Sequence, residues 1–524
     1  MQRGAKVKGG RRQGVQGCGR FFRAAQQGAK VKGGRRQGVQ GCGRFFRAAQ
    51  QGAKVKGGRC EGGKCEGSRR KSANTKPPST FNLITFNLQP LILLILFLLL
   101  AAPLHAAPPR QSTVQDLTIG LSTQGRPITA LRIGDGPMKL VIVGNTHGAP
   151  EANTYTLAAM LADHFRANPH EVPSAVRLYI IPTINPDGLA LGTRFNARGI
   201  DLNRNMNTNL DVCPENDWRT RVFGAYGIIS DTGGPYPDSE VESRVLRSFL
   251  LDAWGAMFLH SAAGNVFPAF CEHAPSIELA QTYATGAGYR YTRFWDAYTI
   301  TGGMHDWAAS LGIAAIVPEL VTGDEPEFDE NLAGVRAVLA AAEELLPAPE
   351  DRRENEVVVP ALLWRYWKMH GGNDLFGAPL APAVVEGGIT RQVFERAVLE
   401  LHPDQADTPY LVQVAPLGRS WTPPGSAAPT DDCASPGCRR FAETPHAIRG
   451  SFAAFWERNG GLQTFGFPIS DEFAAAGERR RMRQVFERAV FTQNDDGSIA
   501  LEPLGWAFLV RERSLAPTAA HQVR

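Results

Sequence analysis

Short apolar segments alternate with amphipathic segments along residues 113–346, and this alternation constrains the fold more than any other feature of the chain. The apolar segments are rich in β-branched residues and nearly continuous, as buried strands are. The segments between them carry apolar residues at helical spacing. Such alternation predicts an α/β fold with its functional loops at the strand ends. The predicted strands are 139–145, 176–185, 256–261 and 312–320, and the predicted helices are 151–165, 237–253 and 331–346.

The pattern changes after the polar segment 347–356, which we interpret as a linker. The segment WRYWKMHGGNDLFGAPLAP at 364–382 is echoed by FAAFWERNGGLQTFGFPIS at 452–470, and QVFERAV and then PLG follow both. The spacing indicates a tandem repeat of about 90 residues. The predicted parts are an α/β domain at 113–348, a first repeat at 359–418, a Pro/Ser/Ala-rich linker at 419–446 and a second repeat at 447–512.

Residues 1–76 are unlike the rest of the chain, because a basic string that begins at Gly4 returns at Gly28 and again at Gly52. This segment holds 21 Lys and Arg against two Glu, and it has too few apolar residues to form a core. We interpret it as a disordered basic tail or as translated sequence upstream of the true start, with a functional basic arm as the alternative. The remainder holds 35 basic and 49 acidic residues, so nucleic-acid binding by the mature chain is not expected.

Residues 77–107 have the layout of a secretory signal peptide. Basic residues precede the apolar run 91–102, and small residues follow it near Ala106. The run is short for a membrane span, although an uncleaved anchor is the alternative. The sequence therefore predicts a secreted or cell-surface protein.

Export changes the interpretation of the cysteines outside the N-terminal segment. Cys433 and Cys438 enclose only four residues, which favours a local disulfide. Cys213 and Cys271 are the other two, and the sequence leaves their pairing open. Since the chain has no CxxC pair, a thiolate zinc site is not expected.

Several polar motifs fall at the ends of the predicted strands. NTHGAPE presents His147 and Glu151 where a strand enters a helix, and imidazole and carboxylate are both zinc ligands. His260 and Glu319 each stand near the end of a very apolar strand, where a polar group must face a site or a partner. Taken singly, each motif also has an ordinary structural explanation, such as hydrogen bonding or, for NPDG at 185–188, a β-turn.

Taken in order, these motifs resemble the zinc carboxypeptidase family typified by pancreatic carboxypeptidase A. NTHGAPE, NPDG, the loop TRFNARGIDLNRN (193–205), FLHS, YTITGGMHDW (298–307) and VPEL follow one another as they do in that family. The resemblance covers residues 113–346 and implies a mixed, mostly parallel twisted sheet with helices on both faces. The sequence departs from the family at one place, since three residues rather than two separate His147 from Glu151.

The resemblance implies a role for each residue of the site. One zinc ion per chain would be bound by three ligands, with Glu319 as general base and an arginine as the group that stabilises the oxyanion. Two residues would bind the substrate carboxylate, a tyrosine would close over the terminal residue, and a histidine would lie at the base of the side-chain pocket, where it would suit polar or acidic side chains or be structural. The residues are His147, Glu151 and His260 for zinc, Arg194 (or Arg198) for the oxyanion, Asn203 and Arg204 for the carboxylate, and Tyr298 and His305 for the terminal residue.

The sequence therefore predicts a secreted, monomeric metallocarboxypeptidase that acts on peptides. A murein-peptide amidase and a non-catalytic binding protein on the same fold are the alternatives. The C-terminal repeats resemble the LGFP-like repeats of bacterial surface proteins, through GG, FG-x-P and a Phe-Glu-Arg strand. That resemblance implies contact with a cell wall or glycan, and the alternative is that their aromatic residues form only a core.

Overall fold

The computed structural model describes residues 113–224, 227–421, 433, 437–475 and 478–515. The basic tail 1–76 and the predicted signal peptide 77–107 lie outside the described residues, as does part of the predicted linker 419–446. Within the described ranges, no helix has both the length and the apolar character needed to cross a membrane.

The first part of the described chain alternates strands and helices, as the sequence predicts. Its strands are β1 (Val114–Leu121), β2 (Pro127–Ile133), β3 (Met138–Val143), β4 (Val176–Ile181), β5 (Val222–Phe223), β6 (Ile229–Ser230), β7 (Gly255–Phe258), β8 (His260–Ser261), β9 (Asn265–Pro268), β10 (Arg290–Tyr291) and β11 (Ala314–Leu320). Its helices are α1 (Ala152–Ala167), α2 (Pro186–Leu191), α3 (Val241–Phe249), α4 (Ala274–Ala287), α5 (Met304–Ser310), α6 (Phe328–Ala340) and α7 (Ala342–Leu345).

These strands form a mixed sheet in the order β1-β2-β4-β3-β7-β11-β9-β10, with β8 also paired to β11. The central pairs β4–β3, β3–β7 and β7–β11 are parallel, whereas β1–β2, β2–β4 and β11–β9 are antiparallel. Alternate residues of β3 face opposite sides, so Val141 and Ile142 belong to different apolar clusters. Helices α3 and α5 pack with the first cluster, and α1, α4 and α6 with the second. The predicted α/β fold is confirmed.

Three elements differ from their predicted bounds. Strand β4 stops at Ile181 because Pro182 has no N–H to donate to a ladder. The helix predicted from 237 begins only at Val241, because Pro237 is followed by Asp238 in the left-handed region at φ +57°. The strand predicted at 256–261 is interrupted at Leu259 and divides into β7 and β8.

The C-terminal part contains the same succession of elements twice: a hairpin, two helices and an antiparallel four-stranded sheet. The first hairpin begins inside segment 347–356, so this predicted linker is partly strand. The first set is β12 (Arg352–Glu354), β13 (Val357–Val359), α8 (Ala361–Met369), α9 (Gly372–Leu375), β14 (Val384–Glu386), β15 (Ile389–Val393), β16 (Val398–Leu401) and β17 (Val412–Val414). The second set is β18 (Arg439–Phe441), β19 (Thr444–Ile448), α10 (Gly450–Arg458), α11 (Gly461–Phe465), β20 (Phe473–Ala475), β21 (Glu478–Val485), β22 (Val490–Gln493) and β23 (Ile499–Leu501), followed by α12 (Leu504–Leu515).

The two sets pack against each other reciprocally. The Arg419 N–H, just after the first PLG, donates to the Glu487 carbonyl at 3.1 Å, and the Trp506 N–H, just after the second, donates to the Glu395 carbonyl at 3.2 Å. A side chain on Gly418 would collide with the carbonyl of Phe486 in the other set. The glycine of the repeated PLG is therefore required by this close approach between main chains.

Candidate metal centre and adjoining cavity

The C-terminal ends of three parallel strands bring the predicted polar residues to one edge of the sheet. His147 follows β3, and His260 begins β8 directly after β7. Glu319, near the end of β11, pairs with His260 in the strand register. This edge is where the α/β architecture places functional groups.

His147, Glu151 and His260 form a buried cluster whose ligand atoms all lie within 4.8 Å of one another. His147 Nδ1 is 2.6 Å from Glu151 Oε1, and His260 Nδ1 is 3.0 Å from Glu151 Oε2. The two imidazole Nδ1 atoms are 3.1 Å apart. Burial alone would raise the pKa of the Glu151 carboxyl, but His147 and His260 hold it well below its ordinary value. The carboxylate is therefore ionised and faces two imidazole nitrogens.

The extra residue between His147 and Glu151 is accommodated in a tight turn. Gly148 has φ +48° and ψ −133°, and residues Ala149–Glu151 form a short 3₁₀ helix before α1 begins. A Cβ at Gly148 would collide with the carbonyl oxygen of Thr193. The glycine thus permits a backbone path that returns the Glu151 carboxylate to His147.

Asp201 is a residue of the centre that the sequence reasoning did not single out. Its buried Oδ1 lies 3.1 Å from His147 Nε2, on the side of the ring that faces away from Glu151. When Nδ1 is a metal ligand the proton of the ring lies on Nε2, where this carboxylate can accept it. Asp201 is the first residue of the motif DLNRN, two positions before Asn203, so the sequence did offer it as a candidate.

Arg194 lies against the same cluster. Its guanidinium donates to Asp201 Oδ2 at 3.1 Å and to Glu151 Oε1 at 3.2 Å, and its Nη2 is 2.9 Å from His147 Nε2. Burial would raise the pKa of Asp201, but Arg194 and His147 hold it well below its ordinary value. Arg198, the alternative arginine, is half exposed and lies 3.6 Å from Glu240, so it is not brought to the centre.

Glu319 is a half-buried carboxyl beside the cluster. Burial raises its pKa to about 7, and the negative charge of Glu151 acts in the same direction. His260, Arg194 and Arg204 oppose this shift. A carboxyl whose pKa lies close to neutrality is suited to both accepting and returning a proton.

Asn203, Arg204 and Tyr298 border the centre. Asn203 Nδ2 is 3.3 Å from His260 Nε2, and its Oδ1 accepts from the Met304 N–H. Arg204 is buried, and its Nε and Nη1 donate to the carbonyls of Phe223 and Asn203 at 2.8 and 2.7 Å. The Tyr298 ring centre is 6.0 Å from the Arg204 guanidinium carbon. The structure therefore brings all three residues together.

A cavity of about 310 Å³ opens beside these residues. Glu319, Asn203, Tyr298 and His305 all contribute to its lining. A disulfide between Cys213 and Cys271, with a Cα–Cα distance of 6.1 Å, joins two segments next to Asn216 and Phe270 of the cavity wall. The predicted disulfide Cys433–Cys438 is also present, with a Cα–Cα distance of 5.4 Å.

The donor set of the buried cluster fits a zinc ion. Two imidazole nitrogens and a carboxylate are a ligand set that catalytic zinc sites use. The two Nδ1 atoms face each other at 3.1 Å, and both lie within 3.0 Å of an oxygen of the Glu151 carboxylate. With its proton displaced, each Nδ1 would therefore offer a lone pair to one cation beside the Glu151 carboxylate.

Comparison with known proteins agrees with this geometry. Carboxypeptidase B of Astacus astacus is 30% identical over 167 residues, which is 28% of this chain and 51% of that protein. Murein peptide amidase A of Escherichia coli K12 is 26% identical over 218 residues, which is 40% of this chain and 81% of that protein. The chain thus spans about half of the carboxypeptidase B and most of the amidase.

Among solved structures, bovine thrombin-activatable fibrinolysis inhibitor in complex with a tick carboxypeptidase inhibitor is 19% identical, with a TM-score of 0.38. The match covers 49% of this chain and 97% of that one. Residues 103–355 match a family model described as zinc carboxypeptidase. This part of the chain, which also holds the buried His–Glu–His cluster that fits zinc, is therefore similar to zinc carboxypeptidases.

Proposed function

We propose that the protein is a zinc-dependent metallocarboxypeptidase that releases the C-terminal residue of peptides. The observation that carries the proposal is the buried cluster of His147, Glu151 and His260, placed directly beside Glu319 and the cavity that Glu319 lines. A zinc ion held by the cluster would polarise the scissile carbonyl and lower the pKa of a water molecule. The ligands would be held in orientation by Asp201 and Asn203.

Glu319 is the proposed general base. It would accept a proton from the attacking water and later deliver it to the leaving amine, for which a pKa of about 7 is well matched. Arg194 would stabilise the developing oxyanion, and the ion pairs with Asp201 and Glu151 fix the position from which it would act.

Arg204 and Asn203 are the proposed binders of the substrate's terminal carboxylate. The Arg204 Nε and Nη1 atoms already donate to main-chain carbonyls, which holds the guanidinium plane in place. The remaining N–H groups would make the charge-assisted contact that restricts hydrolysis to the last peptide bond. Tyr298, stacked on Phe223 and close to Arg204, would cover the bound residue.

The test is hydrolysis of N-blocked dipeptides together with metal analysis of the purified protein. Wild type should carry one zinc and release free amino acids, whereas Glu319→Gln should keep the zinc and lose at least 100-fold in kcat. The exposed Glu278→Gln is the matched control. Full activity in Glu319→Gln would refute the mechanism, and protein with neither zinc nor turnover would favour a non-catalytic binding protein.

A murein-peptide amidase is the second candidate, favoured by the 81% coverage of an amidase relative. We propose export for either function, and the disulfides Cys213–Cys271 and Cys433–Cys438 support it, because disulfides persist in oxidising compartments. Turnover of muropeptides without turnover of simple peptides would favour the amidase. Binding of the C-terminal repeats to purified cell wall would support their proposed role in attachment.

A further inference from the structure

A second cavity lies where the α/β domain meets both C-terminal repeats. Its volume is about 420 Å³, which is within the range of ligand pockets, and such pockets occur preferentially between domains. Among the described residues, it shares none of its lining with the cavity beside Glu319. Its apolar walls come from β1, α3, the first repeat and the second repeat, and they include Ile119, Val245, Phe249, Pro409, Trp456 and Leu462.

The three parts of the chain that form this cavity are held together by Gln463 of α11. Its Nε2 donates to the Pro409 carbonyl of the first repeat at 2.7 Å and to the Ser248 Oγ of α3 at 3.4 Å. The Trp456 ring is fixed as well, because its Nε1 donates to the Gly466 carbonyl at 3.1 Å. The cavity is therefore a preformed feature of the fold.

Two guanidinium groups line the cavity without a carboxylate partner. Arg244 of α3 is partly buried, and its Nη1 donates to the carbonyls of Asp238 and Ser239 at 3.0 and 2.6 Å. Arg439 is exposed at the rim, and its guanidinium carbon is 5.1 Å from the centre of the Trp456 ring. Within the part of the chain that the structure describes, neither arginine forms an ion pair. Burial lowers the pKa of Arg244, so a bound anion would replace hydration that its charge has lost.

The two carboxylates of the lining do not balance this positive charge. The Asp407 carboxylate accepts from the Tyr179 hydroxyl at 2.6 Å. It also lies 3.4 Å from both Lys139 Nζ and Arg132 Nη1, so its own charge is already balanced. Glu457 is exposed, where water and salt screen its charge. The cavity therefore combines apolar walls with an unbalanced positive charge.

We infer that this cavity binds a carboxylate that is attached to a compact apolar group, as in a medium-chain fatty acid or the C-terminal end of an apolar peptide. The walls would bury the apolar group, and Arg244, with Arg439 at the rim, would pair with the carboxylate. A neutral apolar molecule would leave the partly buried charge of Arg244 unpaired. A small hydrophilic anion would gain nothing from the walls. This inference does not depend on the proposed carboxypeptidase function.

Calorimetric titration of the full chain with two matched pairs of compounds tests the inference. The pairs are octanoate with octanol, and N-acetyl-Leu-Leu with its C-terminal amide. In at least one pair the acid should bind about 10-fold or more tightly than its neutral analogue, and acetate should bind more weakly than that acid by a similar factor. The pair that shows the difference identifies the source of the ligand. No difference in either pair, or equal binding of acetate, would overturn the inference.

Three variants assign the binding to this cavity. Arg244→Met and Arg439→Gln each remove one positive charge, and Leu462→Trp enlarges a side chain of the wall that is 41% exposed. Each should weaken binding of the preferred acid roughly 5-fold or more. Arg353→Gln removes a largely exposed guanidinium outside the cavity and is the matched control, which should bind as wild type does. Since Arg439 and Leu462 are exposed, their variants keep the test valid even if Arg244→Met does not fold.

Arg204→Met separates this cavity from the proposed substrate site. Because Arg204 does not line the cavity, its replacement should leave the affinity for the preferred acid unchanged. Loss of binding in Arg204→Met with wild-type binding in Arg439→Gln and Leu462→Trp would place the acid at the substrate site. That result would overturn the inference and leave the proposed function standing.

Discussion

Asp407 of the first repeat accepts a hydrogen bond from the Tyr179 hydroxyl of strand β4 at 2.6 Å. The same carboxylate lies 3.4 Å from Lys139 Nζ, and Lys139, on β3, is only 1% exposed. Lys139 lies near the beginning of β3, away from the strand ends that bear the candidate metal centre. The C-terminal repeats are thus joined to the α/β domain through a buried charged contact rather than only through a linker.

Replacing Asp407 with Ala should therefore destabilise the whole protein. The change removes a partner of Lys139 and the acceptor of Tyr179, both of which stay buried, and we expect the free energy of unfolding to fall by about 2 kcal/mol. Urea denaturation of the full chain measures this. Asp404→Ala, at an exposed position three residues earlier, should change stability by less than about 0.5 kcal/mol, and equal effects of the two changes would contradict the buried contact.

Arg365 of helix α8 makes a second junction between the two parts. Its buried guanidinium donates to the carbonyls of Leu311, Leu251 and Ala253 at 2.9, 3.1 and 2.7 Å. Arg365→Met should lower the free energy of unfolding by about 3 kcal/mol, because these carbonyls would be left buried without donors.

Thermal unfolding of Arg365→Met compared with wild type measures this effect. Arg353→Met removes a guanidinium that is largely exposed and serves as the control. If the two variants had the same melting temperature, the carbonyl contacts of Arg365 would not contribute to stability as argued.

Local sequence patterns were sufficient to predict the α/β fold and the edge of the sheet at which the candidate site lies. Buried parallel strands appear as continuous apolar runs, and polar residues at their ends, such as His260 and Glu319, must converge because neighbouring parallel strands end together. Asp201 could also have been found, since its motif placed it two residues from Asn203. Its contact with His147, however, depends on the path of a loop. A loop has no periodic pattern of residues from which that path could be predicted.

The contacts between the two parts could not be predicted in this way. Asp407 and Tyr179 are 228 positions apart, and a carboxylate in a polar turn gives no sign that it will be buried. Arg365 has the spacing of an ordinary helix residue, and only the packing of α8 places it against three carbonyls. Such pairings depend on tertiary structure, whereas the patterns that predict strands and helices are local.

The stability of the protein should depend on pH through His273, just before helix α4. Burial lowers the pKa of His273 to about 4, from an ordinary value near 6.5. Between these values the unfolded chain binds a proton that the folded chain does not, so stability falls as pH decreases from about 6.5 to about 4.

Replacing His273 with Gln should remove about 2 kcal/mol of this decline, after allowance for partial exposure. Urea unfolding at pH 7, 6, 5 and 4 for wild type and variant gives the difference. Parallel profiles for the two proteins would show that His273 does not titrate as the structure indicates.

Gly148 should be indispensable for zinc binding, because its conformation allows Glu151 to reach His147 and His260. Gly148→Ala introduces a Cβ that collides with the Thr193 carbonyl, at a residue with positive φ. The turn must then shift, and we expect the affinity for zinc to fall at least 10-fold. Titration of metal-free protein with zinc in the presence of a competing chelator measures this without reference to activity.

Gly192→Ala provides a control for a positive φ without a collision. Gly192 also has a positive φ, +71°, but a Cβ there would meet nothing within 4 Å. Gly192→Ala should lose about 1 kcal/mol of stability from the unfavourable φ, and Gly148→Ala should lose more because of the collision, but only Gly148→Ala should lose zinc affinity. Equal zinc affinity in the two variants would mean that the turn at Gly148 does not determine the position of Glu151.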